Sequence, residues 1–158
     1  MKIKINSLWN SPIGTNQDFD LSPTEIELFE DKKATFSGKI SLTKLEDSVL
    51  GKISGEATTD IPCDRCLTEI TLNSPISLGI EFTPKATDEE NVWPIDKHWQ
   101  IDLTEPIRQE AVASLPSPLL CSEACKGLCQ SCGKNLNDNT CECGKVDYEV
   151  SNKIDLPH

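Results

Sequence analysis

This sequence of 158 residues has little of what most enzymes and nucleic-acid-binding proteins use. It has three Trp, one Tyr, four Phe and two His, and acidic residues outnumber basic ones by 26 to 15. We find no glycine-rich phosphate loop, no nucleophile elbow and no spaced carboxylate pair. His98 lies in an acidic stretch and His158 is the last residue, so neither has an evident catalytic partner. These absences predict that the protein is not an enzyme.

A long apolar run is also missing. The start, MKIKINSLWN, is too polar for a secretory signal or a membrane span. We therefore expect a cytoplasmic protein with no membrane contact, in a reducing compartment where disulfides are rare. The eight cysteines of the chain then need another explanation.

The cysteines are grouped in a way that is typical of metal ligands. Cys63 and Cys66 form a Cys-x-x-Cys pair, and the other six lie within residues 121–143. Zinc takes four thiolates at tetrahedral corners, and each Cys-x-x-Cys turn supplies two of them. The sequence therefore predicts two closed zinc sites with four cysteines each, which would stabilise a chain with a modest hydrophobic content of 37%.

The spacing favours one division of the eight ligands. Gly133 suits the tight turn after a Cys-x-x-Cys pair, and the asparagines that follow allow the chain to fold back. We assign one site to Cys129, Cys132, Cys141 and Cys143. The second site joins distant segments through Cys63, Cys66, Cys121 and Cys125. Another division, with Cys121 and Cys125 beside Cys129 and Cys132, remains open.

Two functional alternatives fit the cysteines less well. A redox dithiol at Cys63 and Cys66 would normally lie at the start of a helix, which lowers the thiol pKa, but strands flank this pair. A catalytic zinc keeps one position open for water and usually recruits histidine or carboxylate. Eight cysteines instead fill two closed shells, so both sites are predicted to be structural.

The first eighty residues alternate with the period of antiparallel strands. Apolar residues share one parity within each of the runs 36–42, 49–61 and 70–82, and residues 3–5 and 26–29 are further strand candidates. Pro75 predicts an edge or interrupted strand. Gly51 and Gly55 predict a bulge or tight curl.

One helix is expected over residues 103–115, with Asp102 and Glu105 as a capping box. Its length would return the chain so that Cys121 meets Cys63. The predicted fold is therefore α+β, an antiparallel curled sheet or partial barrel with one main helix and a C-terminal zinc-knuckle tail. We divide it into a β-rich domain with a covering helix, residues 1–120, and a cysteine-rich tail, residues 121–158.

Residues 83–101 form an acidic stretch with two tryptophans. The simpler interpretation is a solvated loop that Trp93 or Trp99 pins to the edge of the core, and the alternative is a mobile loop that binds a partner.

The net charge of −11 becomes about −15 if two zinc ions bind four thiolates each. This charge disfavours nucleic acid and favours a basic protein partner. Lys126, Lys134 and Lys145 surround the later cysteines and could form a local face for phosphate, although a solubilising fringe is the simpler interpretation.

Several motifs together resemble the YceD-like family, the large ribosomal RNA subunit accumulation proteins of bacteria and plastids. They are Cys63-Asp-Arg-Cys66-Leu67, Ile101-Asp-Leu103 before a helix, and Cys121 through Gly127-Leu-Cys129 with Cys132-Gly133 and Asn135-Leu-Asn137. The resemblance covers roughly residues 35–145, and Gln130 and Ser131 stand where relatives often have proline.

The resemblance implies a non-enzymatic factor that supports accumulation of large-subunit (23S) ribosomal RNA and ribosome biogenesis. The acidic charge favours action through a basic ribosomal protein or assembly factor, with direct RNA contact left open. The alternative is a zinc-containing adaptor in a transcription or degradation complex.

Overall fold

A computed structural model describes residues 1–29, 31–85, 91–138 and 141–143. The acidic residues 88–90, and also Asn139, Lys145 and His158, lie outside the described residues. The described chain is mostly β-sheet, and its elements in order are β1 (Lys2–Lys4), α1 (Asn6–Trp9), β2 (Asn16–Phe29), β3 (Lys32–Lys44), β4 (Val49–Pro62), β5 (Glu69–Thr83), β6 (Val92–Pro94), β7 (Gln100–Asp102) and α2 (Thr104–Ala113).

Strands β2 to β5 form an antiparallel meander, as the period-2 pattern predicts. Ile40 of β3 lies opposite Ile53 of β4, which lies opposite Leu78 of β5. Successive side chains of a strand point to opposite faces, so these residues share one side of the sheet. That side is the core, where Ile40 and Ile53 are buried and Leu78 is partly buried.

Helix α2 covers this core. Ile107 and Ala111 are buried within the same cluster as the sheet residues, and the helix contacts both β2 and β5. Arg108 donates a hydrogen bond from Nη1 to the carbonyl of Leu28 at 3.1 Å, which ties the helix to β2. The helix therefore lies over the inner face of the sheet, between its two outer long strands.

The sheet does not close into a barrel within the described residues, so the prediction of an antiparallel curled sheet or partial barrel is confirmed only as a largely antiparallel open sheet. Its order is β2-β3-β4-β5-β6, and within the described residues β2 and β6 are its two ends. The short β6 also runs parallel to β5, pairing only with residues 81–83. Pro75 therefore lies on an open edge of β5 in the described chain, as its missing donor predicts.

The bulge expected at Gly51 or Gly55 is absent from the described register, which is continuous through both glycines. The irregularities lie in β2 instead, between Leu21 and Thr24 and between Glu27 and Phe29. Gly55 lies opposite Gly38, where the backbones of β3 and β4 approach closely. A Cβ at either position would come within 3.0 Å of backbone atoms of the neighbouring strand.

The predicted helix is present but shorter than expected, and its capping box is wrong. The N-cap residue is Leu103, which makes no side-chain capping hydrogen bond. Asp102, one residue earlier, accepts hydrogen bonds at Oδ1 from the Thr104 N–H at 3.0 Å and the Thr104 hydroxyl at 2.7 Å. Glu105 binds Arg108 and Gln109 instead. The Glu105 carboxylate therefore accepts hydrogen bonds from Arg108 and not from the backbone N–H that a capping box would use.

The described part of the segment between β5 and α2 contains two short strands and packs against the core, unlike the predicted solvated loop. Trp93 and Trp99 both pack against the core, which confirms the predicted anchoring role. The Trp99 ring lies 4.9 Å from that of Trp9 between centroids, and Lys44 Nζ lies 3.6 Å from the centroid of Trp9. The segment also contributes β6 and β7, with β7 pairing to β1.

Candidate metal centres

The first Cys-x-x-Cys pair forms the turn between β4 and β5. The Cys63 N–H donates to the Thr68 carbonyl and the Leu67 N–H donates to the Cys63 carbonyl, each at 2.9 Å. These bonds curl residues 63–68 so that both thiols point to one place. Leu67 completes the turn with a φ of 58°, in the left-handed region that favours glycine.

The chain after α2 is fastened to this turn by hydrogen bonds on both sides. Asp64 makes two hydrogen bonds with Leu119. Its N–H donates to the Leu119 carbonyl, and its carboxylate accepts the Leu119 N–H, both at 2.8 Å. Further along, Arg65 accepts the Leu128 N–H at 3.2 Å and donates from Nη1 to the Cys125 carbonyl at 3.2 Å. These contacts bring Cys121 and Cys125 to the turn.

The resulting first cluster consists of Cys63, Cys66, Cys121 and Cys125, whose sulfurs all lie within 4.8 Å of one another. The Sγ atoms of Cys63 and Cys125 are 3.8 Å apart, and those of Cys66 and Cys121 are 3.6 Å apart. Cys63, Cys66 and Cys125 are buried and Cys121 is exposed. The predicted meeting of Cys121 with Cys63 is confirmed.

The second cluster consists of Cys129, Cys132, Cys141 and Cys143, again within 4.8 Å. Cys141 Sγ lies 3.3 Å from the sulfurs of both Cys129 and Cys132. The Gly133 N–H donates to the Cys129 carbonyl at 2.8 Å, and Gly133 has a φ of 70°, which is the turn that its lack of a side chain predicts. This cluster is more accessible, because two of its cysteines are exposed and two are intermediate.

The two clusters correspond to the division of cysteines that the spacing favours, and the described residues do not show the alternative division. A tetrahedral ion with metal–sulfur bonds of about 2.3 Å places its ligands about 3.8 Å apart. The sulfur separations of 3.8 and 3.6 Å in the first cluster match this value. The separations of 3.3 Å from Cys141 to Cys129 and Cys132 in the second cluster are shorter. Both clusters supply four thiols within 4.8 Å of one another, so each could hold an ion that prefers four thiolates.

The surroundings of the first cluster favour ionisation of one thiol and oppose that of another. Burial opposes ionisation of Cys63 most, but backbone N–H groups of Cys66, Arg65 and Cys121 outweigh it and lower the Cys63 pKa to about 6. The neighbouring sulfurs of Cys125 and Cys66 raise the pKa of Cys121 to about 12. Without a metal the cluster therefore shares its protons unequally, and a bound cation would replace them.

The second cluster shows the same division of protons. Backbone N–H groups of Cys132 and Ser131 lower the pKa of Cys129 to about 6. The sulfurs of Cys141 and Cys132 raise the pKa of Cys143 to about 12.

Sequence reasoning did not identify the side chains that hold the clusters in place. The Asn137 amide donates to Cys125 Sγ at 3.4 Å and is the main cause that lowers the pKa of this thiol. The sequence predicts the asparagines between Cys132 and Cys141 only as turn residues. Asp64 and Arg65 were visible only as the variable positions of a Cys-x-x-Cys motif, although both connect the turn to the later chain.

The described chain is a small sheet protein with two groups of four cysteines, one between the β4–β5 turn and the chain after α2 and one within the tail. The family model for the large ribosomal RNA subunit accumulation protein YceD matches residues 51–152, a span that includes both clusters. The chain therefore belongs to the YceD family.

One curated relative is the chloroplastic YCED homolog 1 of Arabidopsis thaliana, named as a large ribosomal RNA subunit accumulation protein. It is 30% identical over 99 residues, which cover 52% of this chain and 31% of the relative. The chain thus matches about a third of the length of this relative. No solved structure matches the chain. Among the described residues, no helix has the length and apolar character needed to cross a membrane.

Proposed function

We propose that this protein is a non-enzymatic zinc-binding factor that supports accumulation of large-subunit (23S) ribosomal RNA. The observation that carries the proposal is the family match, which spans both cysteine clusters. The relative in Arabidopsis thaliana carries the same role in its name. Membership in the family supports the role in ribosomal RNA accumulation, and the cysteine clusters support metal binding.

The eight cysteines would hold two zinc ions, one in each cluster. When bound, each ion would act as a structural crosslink, because four thiolates complete the tetrahedral shell and leave no position for a reacting water. The first ion would join the β4–β5 turn to the chain after α2, and the second would close a short local loop. This arrangement favours a binding role over catalysis.

The partner class follows from charge. The chain carries a net charge of −11, and two zinc ions in four-thiolate sites make it about −15. Opposite charge speeds encounter and disfavours acidic competitors. We therefore favour a basic ribosomal protein or assembly factor as the partner, with an indirect effect on the RNA.

Gradient sedimentation of cell lysate tests this proposal. A tagged full-length protein is expected to sediment with precursors of the large ribosomal subunit at low salt and to leave them as salt rises. Nuclease treatment followed by a second capture then distinguishes the mode of contact. Retention of a basic protein after RNA digestion supports a protein partner, and loss of every partner on digestion indicates direct RNA contact.

The competing function is that of an adaptor in a transcription or degradation complex. Sedimentation away from ribosomal precursors at every salt concentration, together with a stable partner from such a complex, would support this alternative. The proposal of two metal sites would be unaffected in either case, because the grouping of the cysteines supports it independently of the partner.

A further inference from the structure

The two cysteine clusters are not equally protected. Cys63, Cys66 and Cys125 of the first cluster have 0%, 4% and 5% of their surface exposed, whereas no cysteine of the second cluster is buried. The first cluster also joins segments that are 58 residues apart, from Cys63 to Cys121. Water and chelators reach the second cluster more easily, so an ion held there would leave first.

One side chain from the loop of the second cluster contacts a sulfur of the first. Asn137 lies between Cys132 and Cys141, and its Nδ2 donates to the Sγ of Cys125 at 3.4 Å. Its Oδ1 accepts the N–H of Lys126, the residue after Cys125, at 2.8 Å. The amide of Asn137 therefore holds the sulfur and the backbone at one corner of the first cluster.

The rest of the loop supports this contact. Asn135 accepts hydrogen bonds from the backbone and side-chain nitrogens of Asn137, each at 2.9 Å, and its own amide donates to Thr68 at 3.2 Å. The Leu136 N–H donates to the Gly127 carbonyl at 2.9 Å. The loop that the second cluster encloses thus lies directly against the first cluster.

Both ends of this loop belong to the second cluster. Cys132 and Cys141 flank the loop, and their sulfurs lie 3.3 Å apart. An ion bound by both would fix the two ends of the loop and so hold Asn137 at Cys125. Partners that donate to a ligand and orient it typically change metal affinity by about 10- to 100-fold.

We propose that Asn137 couples the two metal sites, so that zinc in the second cluster strengthens zinc binding by the first. Loss of zinc from the second cluster would then lower the zinc affinity of the first. The coupling is reciprocal, because each site must change the affinity of the other by the same factor. The proposal rests on the proposed function, since it requires that both clusters bind zinc. Zinc occupancy of the exposed second cluster would then set the zinc affinity of the buried first cluster.

Chelator competition on the full-length protein tests the coupling. Zinc affinity is measured with a chromogenic chelator, and cadmium NMR assigns each step of release to one cluster. Disabling the second cluster with Cys132→Ser and Cys143→Ser is expected to weaken zinc binding by the first about tenfold. Asn137→Ala, with all eight cysteines present, is expected to weaken it by a similar factor.

The combined variant shows whether both changes act through the same contact. Once Asn137 is alanine, disabling the second cluster should cause little further loss at the first. Asp138→Ala is the matched control in the same loop, because Asp138 makes none of the hydrogen bonds described above, and it should bind zinc like the wild type. Asn137→Asp keeps the acceptor for Lys126 but removes the donor to Cys125, so it should also weaken the first site.

The possible results separate this inference from the function on which it rests. Two zinc ions that bind with the same affinity whether or not the other cluster is intact would overturn the coupling and leave the proposed function standing. Multiplicative effects of Asn137→Ala and the cysteine changes would also overturn it. Failure of the wild-type protein to bind any zinc would overturn both.

Discussion

At the scale of single residues, Gly38 and Gly55 allow β3 and β4 to come together at the middle of the sheet. They lie opposite each other, and the Phe36 ring also packs at this point. A side chain at either position would displace backbone, which cannot move aside as a flexible side chain can. We expect this pair to be among the least replaceable residues outside the clusters.

Gly55→Ala is therefore expected to lower the free energy of unfolding by about 1–3 kcal/mol or more, as overpacking does in well-packed cores. Gly79→Ala is the matched control, because nothing lies within 4 Å of a Cβ built at Gly79. The control should be neutral or slightly stabilising, since glycine inside a strand is entropically unfavourable. Urea denaturation measures both, and an equal effect of the two changes would contradict the close approach of the strands.

Leu67 and Gly133 occupy the same place in two similar turns, each directly after the second cysteine of a Cys-x-x-Cys pair. Their φ angles are 58° and 70°. Leucine in this region costs about 1–2 kcal/mol, while glycine adds about 0.5–1 kcal/mol of entropy loss on folding. Leu67 is also 64% exposed, so its removal sacrifices little burial.

Leu67→Gly is thus expected to raise the free energy of unfolding by about 0.5–1 kcal/mol, the difference between these two terms. Leu67→Ala keeps the Cβ and the unfavourable φ, and should give no such gain. Thermal unfolding of the zinc-loaded protein measures the change. A loss of stability in the glycine variant would show that the Leu67 side chain contributes more than its exposure indicates.

At the scale of elements, the long strands were predictable and the short ones were not. Strands β3, β4 and β5 each carry enough alternating residues to show period 2 in the sequence. Strands β6 and β7 have three residues each, too few for any period, and form because neighbouring chain pairs with them. The capping box of α2 was predicted incorrectly because Glu105 pairs with Arg108, three residues further along the same helix, and with Gln109.

The two clusters join elements over different distances, and this difference predicts unequal effects of losing one thiolate. Cys66→Ser should weaken the junction between the β4–β5 turn and the chain after α2, and so lower the stability of the whole protein. Cys132→Ser removes a ligand from a local loop and should mainly loosen the tail. The coupling through Asn137 adds a smaller effect on the first cluster.

Hydrogen exchange on both variants checks this prediction. Amides of β4 and β5 should lose protection in Cys66→Ser and keep most of it in Cys132→Ser. Similar loss of sheet protection in both variants would contradict the division of the cysteines into one long-range and one local site.

At the scale of the whole molecule, the grouping of the cysteines was predictable because pair spacing is a local property of the sequence. The contacts that position them were not, because the amide of Asn137 and the sulfur of Cys125 meet only after the tail folds back. The acidic charge was also evident from composition alone. Whether the sheet stays open or closes into a barrel was not predictable from the sequence, because it depends on how strongly the strands curl and on the helix that packs between β2 and β5.

Zinc affinity is expected to fall as pH falls, because protons compete for the thiolates. In the metal-free protein, neighbouring sulfurs raise the pKa values of Cys121 and Cys143 to about 12, so these thiols are protonated at neutral pH and zinc must displace their protons. Backbone N–H groups of neighbouring residues outweigh burial and lower the pKa values of Cys63 and Cys129 to about 6. Below that pH these thiols also take protons, and the dependence should steepen.

Chelator competition from about pH 8 to about pH 5 measures this dependence. Circular dichroism at each pH confirms that the sheet stays folded. An affinity that does not change with pH would show that the thiolates are not the ligands.

At this scale we propose that the cysteine-rich tail, with zinc bound, serves accumulation of large-subunit ribosomal RNA. The most direct test deletes the gene in its host, restores it as wild type, Cys132→Ser or Ser131→Ala at equal protein levels, and measures the ratio of large- to small-subunit ribosomal RNA. We predict that deletion lowers the ratio, and that wild type and Ser131→Ala restore it while Cys132→Ser does not. An unchanged ratio on deletion, or full rescue by Cys132→Ser, would contradict the claim.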